Sequence, residues 1–150
     1  MKNLPNVKKI LKKLNDVDCI NYGGCGVSAL AIYRYMEKNG ILNETTKIIY
    51  TYHKDDIDLY NTNQERNKNN TALHAPAHIL IQHEGIYFDT IKMSKKIKDF
   101  RYNYYYHEAT LNELIMSINT GGWNWSFNRG SGVPEIEKIV GVNLTEVDIW

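Results

Sequence analysis

Hydrophobic and polar positions recur with the period of a helix in two stretches before residue 40. The first is residues 4–14, where one side is apolar throughout and Pro5 suits the first turn. The second is residues 25–38, which is apolar on more than one face in its first half and is therefore predicted to be a central helix. Asn39-Gly40 follows it, and we expect Gly40 to adopt the left-handed conformation that commonly ends a helix.

Strand patterns dominate the middle of the chain. Residues 47–53 are rich in Ile, Tyr and Thr and predict a strand, and residues 101–106 predict another. Residues 77–91 predict a β-hairpin with its turn at residues 83–85. Residues 61–71 are polar and show no periodicity, so they are interpreted as a mobile surface loop, with a lid as the alternative.

The last third of the chain returns to helical patterns. Thr110 and Glu113 form a capping box that predicts a helix over residues 110–119, and a short helix is expected over residues 134–140. The chain shows no internal repeat and no linker, so residues 1–150 are interpreted as one domain. The predicted fold is α+β, with N-terminal helices, then an antiparallel sheet, then further helices.

Composition and charge narrow the classes of function. The net charge of +1, from 18 basic and 17 acidic side chains, is too small for a general nucleic-acid binder. No apolar run approaches the roughly 20 residues of a membrane helix, and the lysine-rich start does not resemble a signal peptide. We therefore expect a cytoplasmic protein. The abundance of Asn, Ile, Lys and Tyr suggests a low-GC bacterial or phage genome, in which case the host cytoplasm or a virion is the expected location.

Four lysines cover the polar side of the first predicted helix: Lys8, Lys9, Lys12 and Lys13. A solvated helix face is the plain interpretation of this pattern. A surface for an acidic partner or a membrane is the alternative.

The two cysteines, Cys19 and Cys25, do not make a disulfide framework and are expected to be thiols in a reducing cytosol. Cys25 begins the strongest predicted helix, where free amides and the helix dipole favour the nucleophilic thiolate. Gly23 and Gly24 allow a tight turn and the close approach of a substrate. Cys25 is thus a candidate nucleophile, the alternative being a small buried residue.

The predicted hairpin supplies a base and a group to orient it. If His83-Glu84 is a two-residue turn, His78 lies directly opposite Asp89, with their Cβ atoms about 5 Å apart. Asp89 then accepts a hydrogen bond from one imidazole nitrogen and leaves the other for Cys25. A slip of one residue would separate the two side chains.

The other histidines are weaker candidates. His53, His83 and His107 are expected to be surface residues or to pack against tyrosines. His74 and His78 are four residues apart, but the Ala-Pro dipeptide between them argues against the helix that a zinc pair would need. We therefore predict no metal site and no cofactor.

The order Cys25, His78, Asp89 resembles the papain-like fold superfamily of cysteine peptidases and transglutaminase-like enzymes. The segment GGCGVSALA is similar to the nucleophile helix of that superfamily, and AHILIQHEGIYFDT to its histidine strand and the acidic residue that follows. The resemblance implies helices on one side, a sheet on the other and an active site between them. It also implies a Cys-His-Asp triad.

The chain departs from the papain-like pattern at the oxyanion hole. Many papain-like peptidases carry a Gln six residues before the nucleophile, and this chain has Cys19 there. Asn21 has the chemistry to replace it as an oxyanion candidate beside the Cys25 amide, or else is a turn residue. Cys19 is interpreted as structural, with a redox partner of Cys25 as the alternative.

An aromatic, glycine-rich segment follows the capping-box helix. Trp123 and Trp125 are cleft candidates, although such residues also serve as core. Asn124 is an alternative third member of the triad, but it lies outside the hairpin, so Asp89 is preferred.

These residues predict thiol acyl transfer on a peptide or protein substrate by a cysteine peptidase or amidase, or by a transferase if an amine replaces water. The alternative is an inactive papain-like scaffold that serves as a bacterial or phage binding or structural protein. Nucleic-acid binding through the tyrosines at 102–106 is disfavoured, because they are more simply explained as packing residues. No membrane partner is expected, and the sequence does not indicate the oligomeric state.

Overall fold

The computed structural model of the chain describes residues 4–17, 25–69, 73–74, 76–120 and 132–144. The α-helices within these ranges are α1 (Leu4–Asn15), α2 (Cys25–Lys38), α3 (Ile57–Lys68), α4 (Leu111–Thr120) and α5 (Gly132–Val140). The strands are β1 (Lys47–Tyr52), β2 (His78–His83), β3 (Ile86–Phe88), β4 (Met93–Ser94) and β5 (Tyr105–Ala109). The α+β class is confirmed.

The helix-ending and helix-capping signals in the sequence operate as predicted. Gly40 follows α2 with φ 67°, a conformation that costs glycine little because it has no Cβ. At the start of α4, the Thr110 amide donates to Glu113 Oε1 at 2.7 Å, and the Glu113 amide donates to Thr110 Oγ1 at 3.1 Å. This reciprocal pair satisfies two amides that the helix itself leaves without partners.

The strands form one antiparallel sheet in the order β4-β3-β2-β1-β5. Alternate residues of the central strands, such as Tyr50 and Ile79, face a core that they share with α1, α2, α4 and α5. Ile49 and Leu80 face the opposite side, where Phe100 covers them. Because both faces of β1 and β2 are buried, these strands are nearly continuous apolar runs.

The predicted surface loop at residues 61–71 is wrong, since its first eight residues belong to α3. Asn63 explains the difference, because its side chain is fully buried in α3. Its Nδ2 donates to Tyr52 Oη at 2.8 Å and to the His74 carbonyl at 3.0 Å, while its Oδ1 accepts from the His74 amide at 2.9 Å. Partners that are distant in the sequence thus stabilise a helix whose own pattern is polar.

The strand predicted at residues 101–106 is displaced along the chain, and β5 overlaps it only at the last two positions. Tyr102 adopts a left-handed conformation with φ 57°, which is incompatible with an extended strand. The Asn103 side chain caps the preceding turn by donating to the Lys98 carbonyl at 3.0 Å. The tyrosine run therefore begins in a turn and enters the sheet only at Tyr105.

The hairpin between β2 and β3 is confirmed, but the assumed two-residue turn at His83-Glu84 is wrong. His83 is the last residue of β2 and pairs with Ile86, so Glu84 and Gly85 form the turn. Both turn residues have positive φ, 49° and 79°, as a type I′ turn requires. The hairpin register therefore differs by two positions from the predicted one.

No helix in the described ranges is both long enough and apolar enough to cross a lipid bilayer.

Candidate active site

Cys25 is the first residue of α2, at the position predicted for a nucleophile. The side chain of Cys25 lies outside the described residues. The rest of the first turn is anchored, because Val27 is fully buried and α2 packs on β2. The amides of this turn have no partner within the helix, so they favour a negative charge at its end.

His78 is the first residue of β2 and is held by the neighbouring strand. It pairs in register with Thr51 of β1, which is fully buried. The Thr51 hydroxyl donates to the His78 carbonyl at 3.2 Å. Thr51 was not recognised from the sequence as part of the site, although its place in the predicted strand beside the hairpin was a usable signal.

The predicted pairing of His78 with Asp89 is present in the structure, with a geometry different from the predicted one. His78 Nε2 lies 2.9 Å from Asp89 Oδ2, and the two side chains are only 18% and 12% exposed. The observed register places Asp89 opposite Leu80, so Asp89 is diagonal to His78 and not directly across from it. The prediction of direct opposition is wrong, but a shift of two positions leaves both side chains on one face.

Asp89 is held by hydrogen bonds at both carboxylate oxygens. Oδ1 accepts from the amides of Ile91 at 2.8 Å and Lys92 at 2.9 Å, and Oδ2 faces the imidazole. Burial raises the pKa of Asp89, but the hydrogen bonds from His78 and the two amides outweigh burial and lower it. Asp89 is therefore an ionised acceptor at neutral pH.

The ionised carboxylate of Asp89 also determines which ring nitrogen of His78 carries the hydrogen. A carboxylate only accepts, so Nε2 of His78 carries the hydrogen of this 2.9 Å bond. In the neutral ring, Nδ1 is then the basic nitrogen. A buried carboxylate that fixes this tautomer and can stabilise the imidazolium is the arrangement that nucleophilic catalysis requires of a base and its orienting group.

The His78–Asp89 pair lies at the rim of the sheet. Alternation along β2 places His78 on the face of Leu80, opposite the face that packs on α2. However, His78 begins β2, and the chain leaves the sheet at Asp89, directly after β3. A nucleophile on the helix side must therefore approach the imidazole at this end of the sheet and not through its centre.

The loop after Asp89 connects this rim to the helical side of the fold. Thr90 Oγ1 donates to Oδ1 of Asn15, the last residue of α1, at 3.4 Å. From Asn15 the chain continues through residues 16–24 to Cys25. The end of α1 thus contacts the residue that directly follows the candidate acid Asp89.

Several residues predicted for the site lie outside the described part of the chain. They are Cys19, Asn21, Gly23, Gly24, Trp123, Asn124 and Trp125.

The remaining histidines have structural environments. The expectation for His83 is wrong, since its ring is 1% exposed and its Nδ1 lies 2.7 Å from Thr46 Oγ1. The expectation for His107 is confirmed, because its ring stacks on Tyr52 and its Nε2 lies 2.6 Å from the Tyr52 hydroxyl. His53 is partly exposed and contacts Asp55 at 3.3 Å.

The packing role expected for the tyrosines at 102–106 holds for Tyr105 and for Tyr104, which packs edge-on against Tyr105 with ring centroids 4.8 Å apart. Tyr105 stacks on Tyr60 of α3, with ring centroids 5.0 Å apart. Tyr102, Tyr104 and Tyr106 are 41%, 65% and 49% exposed. They are exposed because the first two lie outside the strand and Tyr106 lies on the less covered face of β5.

Among the described residues, no three His, Cys, Asp or Glu side chains are grouped so as to hold a metal ion. Comparisons with protein-family models, curated proteins and solved structures found no match to this chain. The account of the site therefore depends on its own geometry.

Proposed function

We propose that this chain is a cysteine peptidase or amidase of papain-like fold that acts by thiol acyl transfer through Cys25, His78 and Asp89. The observation that carries the proposal is the partly buried hydrogen bond from His78 Nε2 to the ionised Asp89. The pairing of β2 with β1 and β3 does not depend on this bond, whereas a general base needs it to fix its ring and tautomer.

In the proposed reaction, His78 Nδ1 takes the proton of the Cys25 thiol, and the thiolate attacks the amide carbonyl of the substrate. The tetrahedral oxyanion accepts hydrogen bonds from the Cys25 amide and from Asn21. The imidazolium then donates its proton to the leaving amine, and a thioester remains on Cys25. Water, deprotonated by His78, hydrolyses the thioester, and the thiol is restored.

Two features support a papain-like arrangement in particular. The candidate nucleophile begins a helix that packs on the sheet carrying the candidate base, and base and acid lie on successive strands of one hairpin. The chain order Cys25, His78, Asp89 also matches the resemblance noted in the sequence.

One observation favours the second candidate, an inactive scaffold used for binding. The register places His78 on the sheet face opposite α2, so the candidate base and the helix that carries the candidate nucleophile lie on different sides of the sheet. In the inactive scaffold, the His78–Asp89 pair would only fix the loop that follows β3.

A peptide library distinguishes the two candidates without a known substrate. We would incubate the chain with a tryptic digest of a bacterial lysate and hydroxylamine, which captures a thioester as a hydroxamate whether water or an amine is the natural acceptor. Mass spectrometry should detect new termini and hydroxamates with the wild type and with Cys19→Ser, and neither with Cys25→Ser. Products that persist in Cys25→Ser, or no products from the wild type, would refute the proposed peptidase or amidase activity. Either result would favour the inactive binding scaffold.

A further inference from the structure

A pocket of about 390 Å³ lies between α1 and the loop that follows β3. Asp89 forms part of its wall, so the pocket adjoins the His78–Asp89 pair. The sequence gives no local signal for this pocket, because its two walls lie more than 70 positions apart in the chain.

Two lysines of α1 give this pocket a positive charge. Lys8 and Lys12 line it and are one helical turn apart, which separates their backbone positions by about 6 Å along the helix. Both side chains are exposed, and neither forms an ion pair within the described ranges. Lys92 also lines the pocket, but its Nζ donates to the Asp99 carbonyl at 2.8 Å.

The Asp89 carboxylate in the wall offsets only part of this positive charge, because three lysines and one carboxylate line the pocket. Asp89 is 12% exposed, and its oxygens already accept from His78 and from the amides of Ile91 and Lys92. An incoming anion would therefore meet the exposed ammonium groups of Lys8 and Lys12 before the mostly buried carboxylate of Asp89.

The pocket also presents apolar surface beside its charge. Ile91 is 60% exposed, and Met93 also lines the pocket. A ligand that combines a carboxylate with a neighbouring aliphatic side chain would match both features.

We infer that this pocket binds an acidic residue of the peptide substrate, with Lys8 and Lys12 pairing to its carboxylate and Ile91 contacting an aliphatic neighbour. The inference deepens the proposed function, on which it rests, by naming the substrate class. A peptide is favoured over an anionic membrane because the pocket is concave and only two of the four lysines of α1 line it.

The test uses the full chain with Cys25→Ala, so that no probe is consumed. The probes are two rhodamine-labelled hexapeptides, Ala-Leu-Glu-Glu-Leu-Ala and its neutral counterpart Ala-Leu-Gln-Gln-Leu-Ala, with binding followed by fluorescence anisotropy. We expect the acidic peptide to bind about tenfold more tightly at low salt, as suits two partly exposed ion pairs, and 0.5 M salt to remove most of the difference.

The chain offers a matched control on the same helix. Lys8→Gln/Lys12→Gln should abolish the preference for the acidic peptide, whereas Lys9→Gln/Lys13→Gln, equally exposed but outside the pocket, should preserve it. Backbone amide shifts at Ile91, Lys92 and Met93 should move with the acidic peptide alone. Equal weakening by both double variants would overturn the inference, because the diffuse charge of α1, as at an anionic membrane, would then explain binding. So would equal affinity for the two peptides.

The binding assay does not involve the thiol. If the chain prefers the acidic peptide and the digest assay yields no products, only the proposed reaction is refuted. If products form and the chain does not prefer the acidic peptide, only the inferred substrate class is refuted.

Discussion

His78 and Asp89 are joined by a 2.9 Å hydrogen bond across a hairpin in which they are not opposite each other. The turn lies at Glu84-Gly85, so the register differs by two positions from the one that would pair them directly. Side chains alternate between faces along a strand, so a shift of two preserves the face and converts a direct contact into a diagonal one. A shift of one position would have placed them on opposite faces.

Asp89→Asn should weaken the dependence of stability on acid pH. The pKa of Asp89 is lowered below its ordinary value of 3.8, so the free energy of unfolding that its charge contributes is fully present above that pH and is lost as pH falls through the lowered pKa. The difference between wild type and variant should therefore shrink on acidification. Urea unfolding over the range from about pH 6 to about pH 3 measures it.

Asp55 provides the control for this measurement. Its side chain is 77% exposed, so Asp55→Asn should change the acid dependence little. An Asp89→Asn difference that stays constant over the same pH range would contradict the assigned charge.

His107→Gln should reduce the loss of stability between about pH 7 and pH 5. Burial lowers the pKa of His107 below its ordinary value of 6.5, and the hydrogen bond to the Glu108 carbonyl and the charge of Glu113 offset this only in part. The neutral ring thus contributes stability that is fully present above pH 6.5 and is lost as pH falls below it. Glutamine can still accept the Tyr52 hydroxyl but cannot be protonated in this range.

Chemical denaturation of wild type and His107→Gln at several pH values checks this. His53→Gln is the control, because His53 is partly exposed and should leave the pH slope unchanged. Identical slopes for wild type and His107→Gln would contradict the prediction.

Asn63→Ala should cost about 3 kcal/mol of unfolding free energy, because it removes three hydrogen bonds of a fully buried side chain and leaves their partners unsatisfied. Asn61→Ala, at an exposed position of the same helix, should change stability by less than about 0.5 kcal/mol. Equal effects of the two substitutions would show that the side chain of Asn63 does not anchor α3.

The sequence predicted those elements whose signals are local. The bounds of α2 and the capping box of α4 follow from apolar spacing and from residues within one turn. α3 was missed because the hydrogen bonds of Asn63 to Tyr52 and His74 stabilise this helix. Such tertiary contacts produce no periodic hydrophobic pattern in the sequence. The turn position was missed because Glu84-Gly85 was not weighed as a type I′ turn, although glycine at its second position was the available signal.

The sequence predicted which residues of the hairpin form the candidate site better than it predicted how they are arranged. His78 and Asp89 were paired from alternation along a hairpin, and that pairing survives the error in register. The amides of Ile91 and Lys92 that hold Asp89 were not predicted, although an Asp that follows a strand is a residue type that commonly accepts from backbone amides two positions later. The lysine pocket was not predicted, because α1 and the loop after β3 meet only in the folded chain.

The pH dependence of iodoacetamide labelling of the native chain tests most directly whether Cys25 is an activated nucleophile. At about pH 6, Cys25 should react at least tenfold faster than an ordinary thiol, whose pKa is about 8.5. The fast phase should be lost in Cys25→Ser, slowed in His78→Gln and Asp89→Asn, and unchanged in Cys19→Ser. Labelling no faster than that of a free cysteine, or a fast phase that survives Cys25→Ser and disappears in Cys19→Ser, would contradict the assignment of Cys25 as an activated nucleophile.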